Sequence, residues 1–284
     1  MDISTTWLRE WVNPNVSDKE LAETLTMAGL EVDGINPVAP PFNNVIIGHV
    51  ESCEKHPDAD KLSLCIVNTG SEKLQIICGA KNVREDLKVV VATVGSVLPS
   101  GLKIKKAKLR GVESNGMICS ESELGLVDNS EGILELEPDA PIGEDIRSYL
   151  DLDDNIVELD ITPNRGDCFS ILGVAREVCA NFNLNINAVE TANKESISDS
   201  IKATLLNPEA CPKYCSRLIT NIDNTKQTPH WMQKRLKRSG QQSHSPIVDI
   251  TNYVLLELGN QCMRLILKKL IVRSLLEKQN KTRN

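Results

Sequence analysis

The sequence predicts an α+β chain of more than one domain, with a small closed β-barrel set between helical segments. Residues 64–67, 74–78 and 88–94 are short β-rich runs broken by Gly70, Gly79, Gly95 and Pro99-Ser100-Gly101. That rhythm belongs to a small barrel rather than to helices. Ahead of it, Ser17-Asp18-Lys19-Glu20 is a capping box, the signature of a helix start. Behind it, an alternating run from Ile156 to Ile161 feeds a helical stretch from Gly173 to Ala180.

Length and composition set the limits. The chain has 284 residues, room for about two or three compact units. Forty per cent of them are hydrophobic, but only three Phe, three Tyr and three Trp are present, so the cores must be aliphatic. Few aromatics also mean weak base stacking, which favours contact with a nucleic-acid backbone over the reading of bases. Met1-Asp2-Ile3-Ser4 has no basic or apolar signal character, and no run approaches the roughly 18 apolar residues of a membrane span. Nine cysteines lie mostly in apolar surroundings, as expected for reduced, buried thiols in the cytoplasm. The close pair Cys211 and Cys215 lacks a second pair, and His230 and His244 stand apart from it. No metal site is expected there.

The elements follow in order. In residues 1–40, Ser4 or Thr5 can cap a short helix carrying Trp7, Leu8 and Trp11 on one side. A second helix starts at Ser17, buries Leu21, Leu25 and Ala28, and stops at Gly29. Asn36-Pro37-Val38-Ala39-Pro40-Pro41 is a stiff connector. The barrel is expected over 41–150, and His56, just before Pro57, reads as a turn residue rather than a ligand. A third segment, 151–190, holds Thr162-Pro163-Asn164-Arg165-Gly166-Asp167-Cys168. There a helix amino end could hold a phosphate, or Asn164, Arg165 and Asp167 could pin the turn with their side chains. Residues 190–200 read as a surface linker. The unit from 200 to 259 then begins with a strand from Tyr214 to Ile222, a helix with Thr228 as cap and Pro229 first, and the apolar run from Ile247 to Gly259.

The chemistry concentrates in the barrel. Lys103, Lys105, Lys106, Lys108 and Arg110 put five cations into eight residues, on a chain of formal charge −7. Their spacing is neither strictly alternating nor helical, so a strand with an irregular turn is expected. Such an island suits phosphate contacts; a solvated strand face would look the same from charge alone. A barrel of this size with a basic rim has the shape of an oligonucleotide-binding (OB) fold. His56-Pro57-Asp58-Ala59-Asp60-Lys61-Leu62, Cys78-Gly79-Ala80-Lys81-Asn82-Val83-Arg84 and Lys108-Leu109-Arg110-Gly111-Val112-Glu113-Ser114-Asn115-Gly116-Met117-Ile118-Cys119-Ser120 resemble the tRNA-binding barrel shared by several synthetases and by free-standing tRNA-binding proteins. The resemblance covers roughly residues 45–146 and implies that Lys81, Asn82, Ser114 and Ser120 join the five cations in an RNA-binding set.

Beyond the barrel, Ile161-Thr162-Pro163-Asn164-Arg165-Gly166-Asp167-Cys168, Trp231-Met232-Gln233-Lys234-Arg235-Leu236 and Asp249-Ile250-Thr251-Asn252-Tyr253-Val254-Leu255-Leu256-Glu257-Leu258-Gly259 resemble the amino-terminal third of bacterial-type phenylalanyl-tRNA synthetase β subunits. In that family the barrel is inserted into a small α/β amino-terminal domain, so 1–40 and 151–190 should pack together. The next domain, of B3/B4 type, edits mischarged tRNA, and Asn252 matches a residue near its pocket. The resemblance implies tRNA and an α subunit as partners, and ATP and Mg²⁺ for the complete ligase, none bound by this chain. It implies a cytoplasmic place and no membrane.

After Gly259 the likeness breaks. The family continues Gly-Gln-Pro-Met-His-Ala-Phe-Asp, whereas here Asn260-Gln261-Cys262-Met263-Arg264-Leu265-Ile266 follow, with Met263 where the family has a histidine. A thioether cannot hydrogen-bond water as imidazole does, so no catalysis is expected of this chain alone. One permitted codon choice for 260–266, AAC CAA TGC ATG CGT TTG ATT, reads Pro-Met-His-Ala-Phe-Asp from its third base. A frameshift near codon 260 and a truncated product are therefore expected. The tail over 260–284 should then be aberrant; its stretch 267–284 holds six Lys or Arg against one Glu, and 279–284 reads as disordered. The alternatives are a free-standing tRNA-binding chaperone or recruiter, and the inert product of a decayed gene.

Overall fold

A computed structural model of the chain describes residues 1–188, 207–210 and 212–262. The linker expected within 190–200, Cys211, Met263 and the basic stretch 267–284 lie outside the described residues. The chain divides into two compact units, residues 1–34 with the described part of 157–284, and residues 35–156.

The first unit opens with strand β1 (Asp2–Ser4) and helix α1 (Thr5–Trp11). Ser4 Oγ accepts the Trp7 amide hydrogen at 3.1 Å, and Trp7, Leu8 and Trp11 form the buried stripe. Helix α2 (Asp18–Met27) is capped by Ser17, whose Oγ accepts from the Glu20 amide at 3.2 Å. Gly29, at φ +90°, stops it in the left-handed region where a side chain would be strained. Strand β2 (Glu31–Pro37) then leads away. On the return, β11 (Asn155–Asp160) lies between β1 and β2 in a three-stranded sheet.

A 3-10 turn over Pro163–Cys168 joins β11 to helix α4 (Ile171–Phe182). Ser170 caps α4 through the Gly173 amide at 3.0 Å. A side chain at Gly173 would place its Cβ 2.1 Å from the Asp167 carbonyl oxygen, so turn and helix can close only on glycine. Two further helices, α5 (His230–Arg238) and α6 (Pro246–Leu258), complete the described part of the unit.

Two expectations are corrected here. The stretch from Tyr214 to Ile222 forms no strand; it has no partner strand among the described residues, and Tyr214, Ile219 and Ile222 are exposed. An isolated strand has nothing to bond its backbone. Thr228 does not cap α5 either. It is buried, and its hydroxyl donates to Asp249, leaving Pro229 at the cap position.

The second unit is built on β3 (Val45–His56), β4 (Ala59–Asn68), β5 (Lys73–Cys78), β6 (Lys88–Thr93), β7 (Ala107–Leu109), β8 (Val112–Ser114), β9 (Gly116–Ile118) and β10 (Glu135–Leu136), followed by helix α3 (Ile146–Tyr149). Six of the strands form one antiparallel sheet, in the order β10-β6-β3-β4-β5, with β9 also on β6. It curls nearly shut, because the Asn115 amide donates to the Gln75 carbonyl at 2.8 Å and Ser114 Oγ accepts from the Ile77 amide at 3.1 Å. Strand β6 is apolar on both faces for a reason the register supplies. Val89 and Val91 enter a core with Val50, Val67 and Ile76, while Val90 and Ala92 enter another with Val45, Ile47 and Ile146. Gly48 sits where β3 crosses the crowded interior; a Cβ there would meet Val67 at 2.6 Å and Val91 at 2.7 Å.

Candidate nucleic-acid interface

The basic run does not form one strand. Its first part closes a hairpin with residues 96–98: the Ile104 amide donates to Ser96 O, and the Leu98 amide to Leu102 O, both at 2.9 Å. Lys103 is bridged to Val97 in this arm, and Ile104 is buried beneath it. Ile104 is the anchor of the run, because one apolar side chain turned inward leaves Lys103 and Lys105 turned outward. Lys105 and Lys106 connect to β7, which pairs with β8 in a second hairpin. The turn between them is Arg110-Gly111, at φ +49° and +86°. Two positive φ angles in succession are the requirement of a type I′ hairpin turn, and Arg110 meets it without being glycine. Thus Lys103, Lys105, Lys106, Lys108 and Arg110 are all exposed, spread over an arm, a connector, a strand and a tip.

These elements and the ends of β5 and β9 enclose a cleft of about 680 Å³. Lys103, Lys105 and Leu109 line one side; Ile77, Gly79, Ile118, Ser120, Glu123 and Ile133 line the rest. Among the described residues Lys103, Lys105, Lys106 and Arg110 make no ion pair. Lys108 has a loose one, 3.6 Å to Glu113 across the hairpin. Such an exposed pair is worth little, so the rim keeps most of its positive potential.

Three polar residues of the expected RNA-binding set make hydrogen bonds within the protein. Asn82 donates to the Ile133 carbonyl at 3.0 Å and accepts from the Ile133 amide at 3.0 Å, so its amide pairs like a piece of strand. Ser114 accepts from Ile77 and donates to the Gly116 carbonyl at 3.0 Å. Ser120 donates to Glu123 at 2.8 Å. These bonds fix the backbone around the cleft. Lys81, in the same loop as Asn82, is exposed.

Sequence reasoning missed the fastening of that loop and of the hairpin. Arg84 grips Glu135 through two bonds, 3.0 and 2.9 Å, and this hydrogen bonding holds the Glu135 carboxyl below its usual range. Gln75 Nε2 donates to the Glu113 carbonyl at 2.7 Å at the base of β8. His56 is buried; its Nδ1 accepts from the Asp58 amide at 3.1 Å, and its Nε2 lies 3.2 Å from the Leu109 carbonyl oxygen. Burial pushes the Cys119 thiol up to about 12, with Glu123 adding to it. Cys215 and Cys262, by contrast, are exposed.

In the other unit Arg165 and Asp167 of the expected turn bond one another. Arg165 bonds Asp167 at 3.3 Å and Glu177 at 2.7 Å, so its guanidinium fills the space between the two carboxylates and Cys168. That occupies the Asp167, Cys168 and Glu177 cluster with a cation already, leaving no reason to place a metal there. With Asp167 and Glu177 at hand, it is also an unfavourable phosphate site. Asn252 is half-buried on α6, one residue before Tyr253. Tyr253 stacks on Trp7 with centroids 5.2 Å apart, and Trp231 meets it edge-on at 5.3 Å. Arg235 covers both tryptophans and pairs with Glu10.

Residues 45–145 match the family model of a putative tRNA binding domain, and residues 210–265 match that of the B3/4 domain. Over 262 residues, 92% of this chain, the sequence is 55% identical to the phenylalanine--tRNA ligase beta subunit of Idiomarina loihiensis. It is 53% identical to that of Legionella pneumophila strain Lens over 261 residues, 91% of the chain. In each case the match covers 33% of the relative, so this chain spans about a third of the length of those proteins. Among solved structures, the C-terminal domain of Plasmodium vivax p43 is 33% identical over 36% of this chain and 57% of its own; its TM-score, 0.27, is too low to bear on the fold. Among the described residues no helix is long and apolar enough to cross a membrane.

Proposed function

From its relation over nine-tenths of its length to phenylalanyl-tRNA synthetase β subunits, we propose that this chain is the tRNA-binding, amino-terminal part of such a subunit. Residues 35–156 are then an OB-type barrel that grips the tRNA sugar–phosphate backbone, inserted in a domain made by the segments on either side. The observation that carries this is the rim. Lys103, Lys105, Lys106 and Arg110 are exposed and without acid partners among the described residues, within the span that matches the tRNA-binding family model. Lys81 extends the same positive edge. Phosphate contacts fix register without reading sequence, so tRNA identity is set elsewhere in the enzyme.

The match over residues 210–265 favours a β subunit over a free-standing tRNA chaperone, which would not need that segment. Residues 200–259 are read as the beginning of an editing-type domain with Asn252 near its pocket. The α subunit is the partner of the whole ligase, which uses ATP and Mg²⁺ in the cytoplasm. Alone, this chain neither aminoacylates nor deacylates tRNA. Asn260 to Ile266 are read as out of frame, and resequencing codons 260–266 tests that directly.

The binding test uses the full chain. Log affinity for tRNA should fall linearly with log salt concentration. Replacing Lys105, Lys106 and Lys108 together by Ala should flatten that slope by about two to three units, near one per lost phosphate contact. An unchanged slope would put the RNA surface elsewhere and end this reading.

A further inference from the structure

The tip of the β7–β8 hairpin meets a buried side chain from another strand. His56 ends β3, at the turn into β4, and is almost wholly enclosed. Its two ring nitrogens face different partners. Nδ1 takes the Asp58 amide hydrogen at 3.1 Å, which closes the β3–β4 turn. Nε2 lies 3.2 Å from the carbonyl oxygen of Leu109, 53 positions away and next to Arg110. An amide hydrogen needs an acceptor and a carbonyl needs a donor, so one neutral tautomer, protonated on Nε2, satisfies both. Gln75 and Ser114 fasten the base of the hairpin, at Glu113 and Ile77. The tip carries exposed Lys108, Leu109 and Arg110 on a turn of two left-handed residues.

We propose that His56 is a positioning residue for tRNA binding: its Nε2–H latches the Leu109 carbonyl and holds Lys108 and Arg110 in place at the hairpin tip. This rests on the reading of the rim as the tRNA surface. The latch adds no charge and touches no RNA. It removes freedom that the tip would otherwise lose on binding, so its absence shows as weaker, less salt-dependent binding.

Two substitutions separate the two bonds. In His56→Gln the side-chain amide nitrogen reaches the place of Nε2 and can donate to Leu109, but the turn acceptor is lost. In His56→Asn the side-chain oxygen takes the place of Nδ1 and keeps the Asp58 bond, but nothing reaches Leu109. Salt-dependent tRNA binding and trypsin cleavage after Lys108 and Arg110 are measured on the full-length chain. The proposal expects His56→Asn to flatten the log–log salt slope by about one to two units and to speed cleavage at the tip about tenfold, while His56→Gln stays near wild type in both. Equal impairment of the two variants would mean that packing, not the donated bond, matters, and would overturn the latch. So would wild-type cleavage and slope in His56→Asn while the triple lysine variant flattens the slope. Faster cleavage in His56→Asn alone, with no slope change in the triple lysine variant, would keep the latch, remove its part in tRNA binding, and overturn the proposal through the rim reading instead. Because cleavage needs no RNA, the two failures are told apart.

Discussion

The five cations from Lys103 to Arg110 and the arginines Arg9, Arg165 and Arg235 come from the same acidic chain and have opposite fates. Arg9 bonds Asp18 at 2.8 Å, Arg165 bonds Glu177 at 2.7 Å, and Arg235 pairs with Glu10 beneath two tryptophans. The side chains of Arg165 and Arg235 are each 23% exposed, whereas Lys108, the one rim cation with an acid partner among the described residues, is 70% exposed. The difference teaches that a positive residue is available to a phosphate only when the fold has not already neutralised it. Net charge hides this: at −7 the chain looks unsuited to RNA, yet the rim is a local surplus. Arginine's planar fork suits the internal posts, and lysine's hydrated point charge suits the rim.

The largest expected effect breaks the internal side of the comparison. Arg235→Ala removes two cation–π contacts, the Glu10 pair and a 3.1 Å bond to the Tyr253 hydroxyl. It should destabilise the first unit by about 3 kcal/mol, read by thermal or denaturant melting. The tRNA salt slope should stay as it was; a flattened slope with unchanged melting would place Arg235 on the RNA surface instead.

Asp249 is next. Burial works to raise its carboxyl, but hydrogen bonds from Ser243, Thr228 and the His244 and Ser245 amides outweigh this and hold it below the usual range. A carboxyl lowered on folding stabilises above its unfolded pKa, and that contribution is lost as pH falls through the lower, folded value. Asp249→Ala should cost about 2 kcal/mol at neutral pH and remove part of the loss of stability below about pH 4. Parallel melting curves for the two proteins down to acid pH would show Asp249 to be idle.

Local signals carried the legible part of the fold. Ser17 and Glu20 are three residues apart and capped α2 as their spacing proposed; the apolar runs over 74–78 and 88–94 became β5 and β6 within a residue. What failed had distant partners. Thr228 looked like a cap because Pro229 follows it, but its hydroxyl answers Asp249, 21 positions on. The internal bonds of Asn82 and Ser114 also left no local signal, because their partners lie 51 and 37 positions away. The cations of the rim were legible because a long charged side chain seldom goes inward. His56 was legible as a turn residue; its second bond, to Leu109, leaves no trace in the local pattern.

A smaller effect tests how far the rim extends. Lys81 is exposed in a loop that Asn82 and Arg84 fasten through Ile133 and Glu135. If that rigid loop continues the positive edge, Lys81→Ala should flatten the salt slope by about 0.7 to 0.9, one phosphate contact, without changing the melting temperature. No change in slope would confine the rim to the two hairpins.

The smallest effect concerns the one place where the two kinds of cation meet. Lys108 sits on the rim, yet Glu113 faces it at 3.6 Å across β7 and β8, with side chains 70% and 63% exposed. An exposed cross-strand pair contributes at most a few tenths of a kcal/mol. The Glu113 backbone carbonyl, which Gln75 uses, is untouched by a change of side chain. Glu113→Gln should therefore leave melting within about 0.5 kcal/mol of wild type. If Lys108 contacts phosphate as proposed, a carboxylate beside it repels the incoming backbone, so its loss should tighten tRNA binding about twofold at low salt, fading as salt screens the charge. Weaker binding in Glu113→Gln would mean that the pair aims Lys108 rather than shielding it, and that even the rim relies on internal posts.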